Sequence, residues 1–299
     1  MNLFLAALIN LVWAASYPIS KRVLVDYPYE SLTLLRIGLA GLFFLPILLV
    51  SPRMQKPSGR DATLFFLMGT VGCVLSTGLQ YAGTALSLAS HIALITSLET
   101  AVLVLLSAIL LKDRLGREHL VSLGLSLAGI WLITARGGPT EDAAATADIW
   151  AGNGLMVLSV VCYALYTIFG KVLSQLWDSI RVTAIPFLVS APLLAVALWL
   201  KDSDELSQTF RLLFVERLHL GAILFLSVVA TTMTYWLWNW LLARMSARDL
   251  GYSLLVQTAG GPLFSFAFGG ETISWSYVFG AGLIGVALWI VLPKPVSSG

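Results

Sequence analysis

Charge is scarce in this sequence. Of its 299 residues only 11% are Asp, Glu, Lys or Arg, against 58% hydrophobic, and the charges crowd between long apolar runs. That balance excludes an ordinary soluble protein and points to a polytopic membrane protein with lipid as its surroundings. The formal net charge is only +2 and the basic residues are scattered through loops, which argues against a nucleic-acid partner. Cysteine and histidine are scarce too, at two and three residues. Cys73 and Cys162 both fall inside apolar spans, where they read as small buried hydrophobes rather than a disulfide or a metal site. No Cys/His cluster has ligand spacing, so neither a metal nor a cofactor is expected. A G-x-x-x-x-G-K-[ST] phosphate loop and an H-E-x-x-H motif are both missing, which removes an ATP-driven engine and a zinc peptidase from consideration. The first apolar run lacks a basic leader and is followed by many more, so it reads as a spanning helix rather than a signal peptide.

What is present is a series of apolar runs long enough to cross about 30 Å of hydrocarbon at about 1.5 Å per residue. They predict an all-α polytopic membrane protein of ten transmembrane helices over 3–25, 32–50, 62–85, 89–111, 119–135, 152–174, 181–200, 219–243, 249–269 and 275–292. The stretch 84–131 returns faintly 158 positions later as 242–289, pairing Ala85 with Ala243, Thr100 with Thr258, Ser107 with Ser265, Gly124 with Gly282 and Trp131 with Trp289. Each copy runs as an apolar span, a short acid-containing turn (Asp113, Glu271) and a second span ending in Trp, which repeats architecture as well as letters. The expected organisation is therefore a first five-helix repeat over 1–135, a Gly-, Ala- and acid-rich linker over 136–151, a second repeat over 152–292 and a tail over 293–299. Five is odd, so the second repeat enters the membrane from the opposite side and the repeats are inverted. With both termini in the cytoplasm the inner loops carry Arg53, Lys56, Arg60, Lys112, Arg114, Arg117, Lys171, Arg181, Arg244, Arg248 and Lys294. The outer side then carries only Lys21, Arg22, Arg136, Lys201, Arg211 and Arg217. This bias favours cytoplasmic termini.

Read in order over both halves, several short motifs resemble the drug/metabolite transporter superfamily, and within it the ten-helix EamA-type carriers. The residues are Trp13-Ala14-Ala15 with Pro18 and Lys21, Arg36, the run from Tyr81 to Ala89, and Asp113-Arg114-Leu115-Gly116 before Gly124 and Gly129. In the second half they are Glu271-Thr272-Ile273-Ser274 before Gly282 and Gly285. The resemblance implies a bacterial inner-membrane exporter or exchanger of small metabolites. It also implies a central cavity lined by helices one, three, four, six, eight and nine, with five and ten at the periphery. The sequence departs from the family at Leu98-Glu99, where many members carry a proline; this leaves the kink of helix four in doubt, while the second half keeps Pro262.

Polar and aromatic residues within spans are the candidates for transport, because an ionisable group in hydrocarbon is costly unless paired or facing a wet cavity. The 158-residue register pairs Glu99 with Gln257, Gln80 with Trp238 and Tyr81 with Asn239. A register of 150, set by Lys21 and Lys171, pairs Trp13 with Tyr163, Ser16 with Tyr166 and Tyr17 with Thr167. The candidate substrate-binding residues are Trp13, Tyr17, Gln80, Tyr81, His91, Glu99, Tyr163, Tyr166, Trp238, Asn239 and Gln257, with no catalytic residue. Glu99 either holds a ligand ammonium or shuttles a proton, or else it is a protonated residue bridging two helices. His91 also reads as an interfacial histidine. Arg36 reads as structural, snorkelling or paired with an acid such as Glu30, and Lys21 and Lys171 read as snorkelling residues with a gating role open. Trp131, Trp275 and Trp289 read as interfacial anchors. Gly38, Gly41, Gly124, Gly260, Gly261, Gly280 and Gly282 read as close helix packing.

These residues predict a secondary transporter for small metabolites, amino acids including aromatic ones first; a monomer is the working expectation, though no residue specifies it. Nucleosides and cationic drugs are the alternative solutes. An intramembrane enzyme would need a second buried carboxylate beside Glu99, and a channel would need rings of like charge or carbonyl-filter sequences; neither pattern is present.

Overall fold

The computed structural model describes residues 2–50, 56–110, 116–136, 143–204, 207, 209–210, 217–245, 250, 253–269 and 274–291. The turn residues Asp113 to Leu115 and Glu271 to Ile273, the cations Arg53, Lys112, Arg211, Arg248 and Lys294, and the tail lie outside them. Among the described residues the protein is all-helical, with no strand. Among the described residues seven helices are long and apolar enough to cross a membrane: Asn2–Val23, Tyr29–Leu49, Gly59–Leu86, Ala89–Leu110, Ala147–Leu173, Ser179–Lys201 and His219–Leu242. Shorter apolar helices occupy Leu120–Ile133 and Trp275–Ala287. A backbone in hydrocarbon must satisfy its own N–H and C=O groups, which is why apolar runs of this length fold as helices. The chain is a multi-pass membrane protein.

Helices α1 (Asn2–Val23) and α2 (Tyr29–Val50) are followed by α3 (Gly59–Leu67), which Ser58 caps by accepting from the Asp61 N–H at 3.2 Å. A π-helical segment, Met68–Leu75, leads without interruption into α4 (Ser76–Leu86). Next come α5 (Ala89–Ile95), α6 (Leu98–Leu110), α7 (Arg117–Arg136) and α8 (Ala143–Leu173). Helix α9 (Ser179–Lys201) starts on Asp178, whose carboxylate accepts from the Arg181 N–H at 3.0 Å. Helix α10 (Arg217–Leu224) runs through a second π-helical segment, Phe225–Met233, into α11 (Thr234–Leu242). The chain then adds α12 (Leu254–Gly269) and α13 (Trp275–Val291).

The predicted helix over 89–111 is broken at Thr96 and Ser97, with no proline there. Thr96 Oγ1 donates to the Ala93 carbonyl at 2.5 Å, Ser97 N to Leu94 O at 3.1 Å and Glu99 N to Thr96 O at 2.9 Å. A hydroxyl bonding back into the preceding turn, with tightened i to i−3 backbone bonds, interrupts a helix without proline. The run over 89–111 is therefore interrupted just before Leu98-Glu99 without a proline.

Among the interhelical contacts, α7 packs on α13, α4 on α8, α1 on α12 and α2 on α9. Small residues permit some of these approaches. A Cβ on Gly83 would lie 2.6 Å from the Gly152 carbonyl oxygen, and one on Gly152 2.8 Å from that of Gly83. Among the predicted packing glycines, Gly260, Gly261 and Gly280 are in close contact, and Gly41 is in ordinary contact. Gly38, Gly124 and Gly282 have nothing within 4 Å of a Cβ, so close packing does not explain them. Trp131, Trp275 and Trp289 are exposed.

Lys21 and Lys171 make matching contacts. Lys21 Nζ donates to the carbonyls of Thr84, Ala85 and Ser87 at 2.7, 2.9 and 2.7 Å, closing the C-terminal end of α4. Lys171 Nζ donates to those of Leu242 and Met245 at 2.7 and 2.9 Å, closing the end of α11. The last carbonyls of a helix lack intrahelical donors and carry partial negative charge, so a cation there satisfies both needs. Lys21→Met is expected to destabilise by about 2 kcal/mol, several degrees in unfolding temperature, and Lys171→Met by less. Thermal unfolding of the purified variants checks this, and unchanged midpoints would show that neither lysine acts as a cap.

Candidate functional site

Helices α1, α2, α4, α6, α8, α11 and α12 and the break before α6 enclose one polar cavity. Its walls are Trp13, Ser16 and Tyr17 of α1, Arg36 of α2, Ser76 and Gln80 of α4, Thr96 at the break and Glu99 in the first turn of α6. Met156, Ser159, Val160 and Tyr163 of α8, Tyr235 of α11 and Gln257 of α12 complete it. Helix two joins the six helices that the family resemblance implied. The cavity measures about 40 Å³, room for roughly three waters.

Aromatic rings build one side. Trp13 meets Tyr163 and Tyr235 edge to face, each at 5.8 Å between ring centroids, and Trp238 at 5.2 Å. Tyr166 stacks behind Tyr163 at 5.6 Å. Such offset and T-shaped contacts fix ring orientation and leave little freedom in the wall. The Trp13 indole N–H is held by Ala230 O at 3.0 Å and Thr234 Oγ1 at 2.9 Å. That carbonyl lies in the second π-helical segment, where the Thr231 and Thr232 hydroxyls bond five residues back to Leu226 and Ser227 at 2.7 and 2.9 Å. A π turn loosens the regular ladder, and backbone acceptors there become available to side chains from other helices.

Polar groups build the other side. Gln257 Nε2 donates to the Tyr17 hydroxyl at 2.5 Å. Ser76 and Ser159 bond reciprocally: Ser159 Oγ donates to Ser76 O at 2.7 Å, and Ser76 Oγ to Ser159 O at 3.2 Å. Three polar atoms on cavity residues are buried without a hydrogen-bond partner: Glu99 Oε1, Tyr163 Oη and Gln257 Oε1. Such atoms also occur away from the cavity, Asn10 Oδ1 and Trp238 Nε1 among them; on the cavity residues they are hydrogen-bonding capacity that the protein's own groups do not use.

Of the residues singled out in the sequence, Trp13, Tyr17, Gln80, Glu99, Tyr163 and Gln257 line this cavity. The others stand behind the walls. Tyr81 accepts from Arg36 Nη1 at 3.0 Å, and Trp238 packs on Trp13. Asn239 Nδ2 donates to the Tyr166 hydroxyl at 2.7 Å and to Thr183 Oγ1 at 2.9 Å. His91 is 1% exposed, buried between helices rather than at a surface; it stacks on Tyr277 at 6.2 Å, with Asn153 Nδ2 3.5 Å from its Nδ1. Arg36 neither snorkels nor pairs with Glu30: it is 4% exposed and on the cavity wall, while Glu30 pairs with Lys201 at 2.7 Å. Two further cavity residues follow from helical spacing: Ser76 and Ser159 sit four residues before Gln80 and Tyr163, one turn along the same face. Tyr235 carries no such signal, because Asn239, one turn on, stands behind the wall. Among the described residues no group of three or more His, Cys, Asp or Glu side chains is placed to hold a metal ion.

A sequence profile of the EamA-like transporter family matches residues 1–135 and 150–292. The biotin transporter of Escherichia coli (strain K12) is 26% identical over 286 residues, covering 94% of this chain and 90% of the relative. A "Probable amino-acid metabolite efflux pump" of Salmonella typhimurium (strain LT2) is 28% identical over 309 residues, covering 96% and 93%. A protein of known crystal structure has a similar fold at a TM-score of 0.65, with 18% identity over 97% of this chain and 96% of its own. Apolar helices around one polar cavity, matched by that profile along both stretches, lead to a single assignment: the chain belongs to the EamA-like transporter family and is a transporter, not an enzyme.

Proposed function

We propose that this chain is a secondary carrier that exports or exchanges small metabolites, amino acids first and aromatic ones among them, across a bacterial inner membrane. The observation that carries the reading is a cavity lined by Glu99, Tyr163 and Gln257, each with a side-chain oxygen that has no protein partner, and faced by Trp13, Tyr163 and Tyr235. An ammonium group suits the carboxylate of Glu99, and an apolar or aromatic side chain suits the rings. Sites for organic ligands run to about 300–1,000 Å³, far above the 40 Å³ of this cavity. The walls must therefore part to admit a solute, and alternating access supplies that motion.

The proposal includes ten spanning helices in two inverted five-helix repeats, over 1–135 and 152–292, about the linker 136–151. It is supported by the two stretches matched by the family profile and by three structural correspondences. The π-helical segments Met68–Leu75 and Phe225–Met233 agree to within one residue in the 158-residue register. Lys21 and Lys171 correspond at 150. Their acceptors Thr84 and Leu242, and Ser87 and Met245, correspond at 158. Inverted repeats would set the two lysine caps on opposite faces of the membrane, and the excess of loop cations on the inner side favours cytoplasmic termini. One chain supplies every wall of the cavity, so a monomer suffices.

A second reading is favoured by the relatives named biotin transporters, at 24–26% identity: a carboxylic acid with an uncharged polar ring. The deciding experiment is counterflow in proteoliposomes, with labelled amino acids, biotin, nucleosides and cationic drugs offered one at a time. Saturable, competable amino-acid uptake is the expected result. Uptake of biotin alone would move the assignment to the second reading, and non-saturable flux would replace the carrier by a channel.

A further inference from the structure

Arg36 is a buried cation whose partners are all neutral. It lies seven residues after Tyr29, about 10 Å into α2 at about 1.5 Å per residue, and is 4% exposed. Its Nε hydrogen-bonds Thr231 Oγ1 at 2.5 Å, Nη1 donates to the Tyr81 hydroxyl at 3.0 Å, and Nη2 donates to Ala230 O at 3.1 Å. The Tyr81 ring also lies 5.5 Å from the guanidinium carbon. A guanidinium has five N–H donors. Three are used, and Nη1 and Nη2 keep one each beyond these bonds. Among the described residues no carboxylate forms an ion pair with Arg36, and Glu99, on the same cavity, is not bridged to it.

A buried charge is stable only with compensation, and hydroxyls and one carbonyl compensate it incompletely. The surrounding groups orient the guanidinium rather than neutralise it. Thr231 and the Ala230 carbonyl belong to the π-helical segment that also holds Trp13, so the cation and the aromatic wall share one anchor. We propose that Arg36 binds the carboxylate of the transported solute, with Glu99 as a separate acceptor for an ammonium where the solute carries one. This rests on the carrier reading for the existence of a solute and adds its chemical class. Tryptophan and biotin share the carboxylate, and only tryptophan has the ammonium. The arrangement recognises the planar, two-oxygen anion by a fork that lysine cannot reproduce.

The test is thermal unfolding of the purified full chain with tryptophan, indole-3-acetate and biotin, each against its primary amide. The expected result is a saturable rise in unfolding temperature with at least one acid, and at least tenfold weaker binding of its amide. Arg36→Gln is expected to abolish the difference between acid and amide. Arg36→Lys keeps the charge without the fork, and is expected to weaken the acid about tenfold and leave the amide unchanged, which carries the test if Arg36→Gln does not fold. A purely structural arginine would lower the unfolding temperature in both variants and leave acid-over-amide preference intact, and that outcome overturns the proposal. Acid and amide binding the wild-type protein alike, or no acid binding at all, also overturns it. Failure of the carrier reading looks different: acid-selective stabilisation without counterflow of any solute keeps the anchor and removes the carrier. Counterflow of nucleosides or cationic drugs by a protein indifferent to carboxylates does the reverse. The tryptophan and biotin arms separate the two sources of the carboxylate.

Discussion

Glu99→Gln is expected to reduce counterflow of amine-bearing solutes at least tenfold while leaving the protein folded and its unfolding temperature close to the wild-type value. The size follows from replacing a charge-assisted contact by a neutral one in a water-poor site, where about 1.4 kcal/mol already corresponds to a factor of ten. The selectivity follows from position. Glu99 is 4% exposed in the first turn of α6, just beyond the break at Thr96 and Ser97, and Oε1 accepts no hydrogen bond from the protein. An isosteric amide therefore breaks no contact of that oxygen. Solutes without an amine, biotin among them, are expected to be affected much less, so one variant measured with two solutes separates the proposed readings. Equal transport of both by wild type and variant would assign Glu99 to helix packing alone.

The contrast between Glu99 and Arg36 shows how far the sequence could be read. Both are ionisable residues within apolar runs, and both line the cavity. Glu99 stands out as the only carboxylate well inside a span, and it has a polar counterpart, Gln257, in the repeat. At the corresponding position in the 150-residue register, Arg36 meets Pro186, so no pairing marked it, and its nearness to Glu30 along the chain offered an ordinary partner. That partner went to Lys201, some 170 residues away in sequence. Long-range choices of this kind depend on which helices become neighbours, and a single apolar pattern specifies span and length far better than neighbour. The break before Glu99 was hidden for a different reason. A threonine hydroxyl turned back on Ala93 does the work that a proline would advertise. The apolar spans, by contrast, were legible because hydrocarbon leaves the backbone few alternatives. His91 shows the same limit on the side-chain level, since its burial against Tyr277 and Asn153 joins helices that lie far apart in the chain.

The crossing of α4 and α8 is the place where a single added side chain is expected to do most damage. The two helices run antiparallel through paired contacts: Gly83 lies against Gly152, and two turns away Ser76 bonds Ser159. Between and beside these contacts lie Gln80, Met156 and Tyr163, which face the cavity. A Cβ on Gly83 would come within 2.6 Å of the Gly152 carbonyl oxygen, a backbone atom that cannot rotate away. Gly83→Ala must therefore push the helices apart by a few tenths of an ångström, at about 1–3 kcal/mol. Gly83→Leu adds a branched side chain at the same point, and separating the helices enough to admit it would break both serine hydrogen bonds. It is expected to yield little monodisperse protein. Gly154→Leu is the matched control, because a Cβ there meets nothing within 4 Å and leucine is the better helix former. Size-exclusion profiles and unfolding temperatures of the three variants decide the matter. If Gly83→Leu proves as stable as Gly154→Leu, these helices do not cross through their glycines, and the wall they give the cavity would have to be rebuilt.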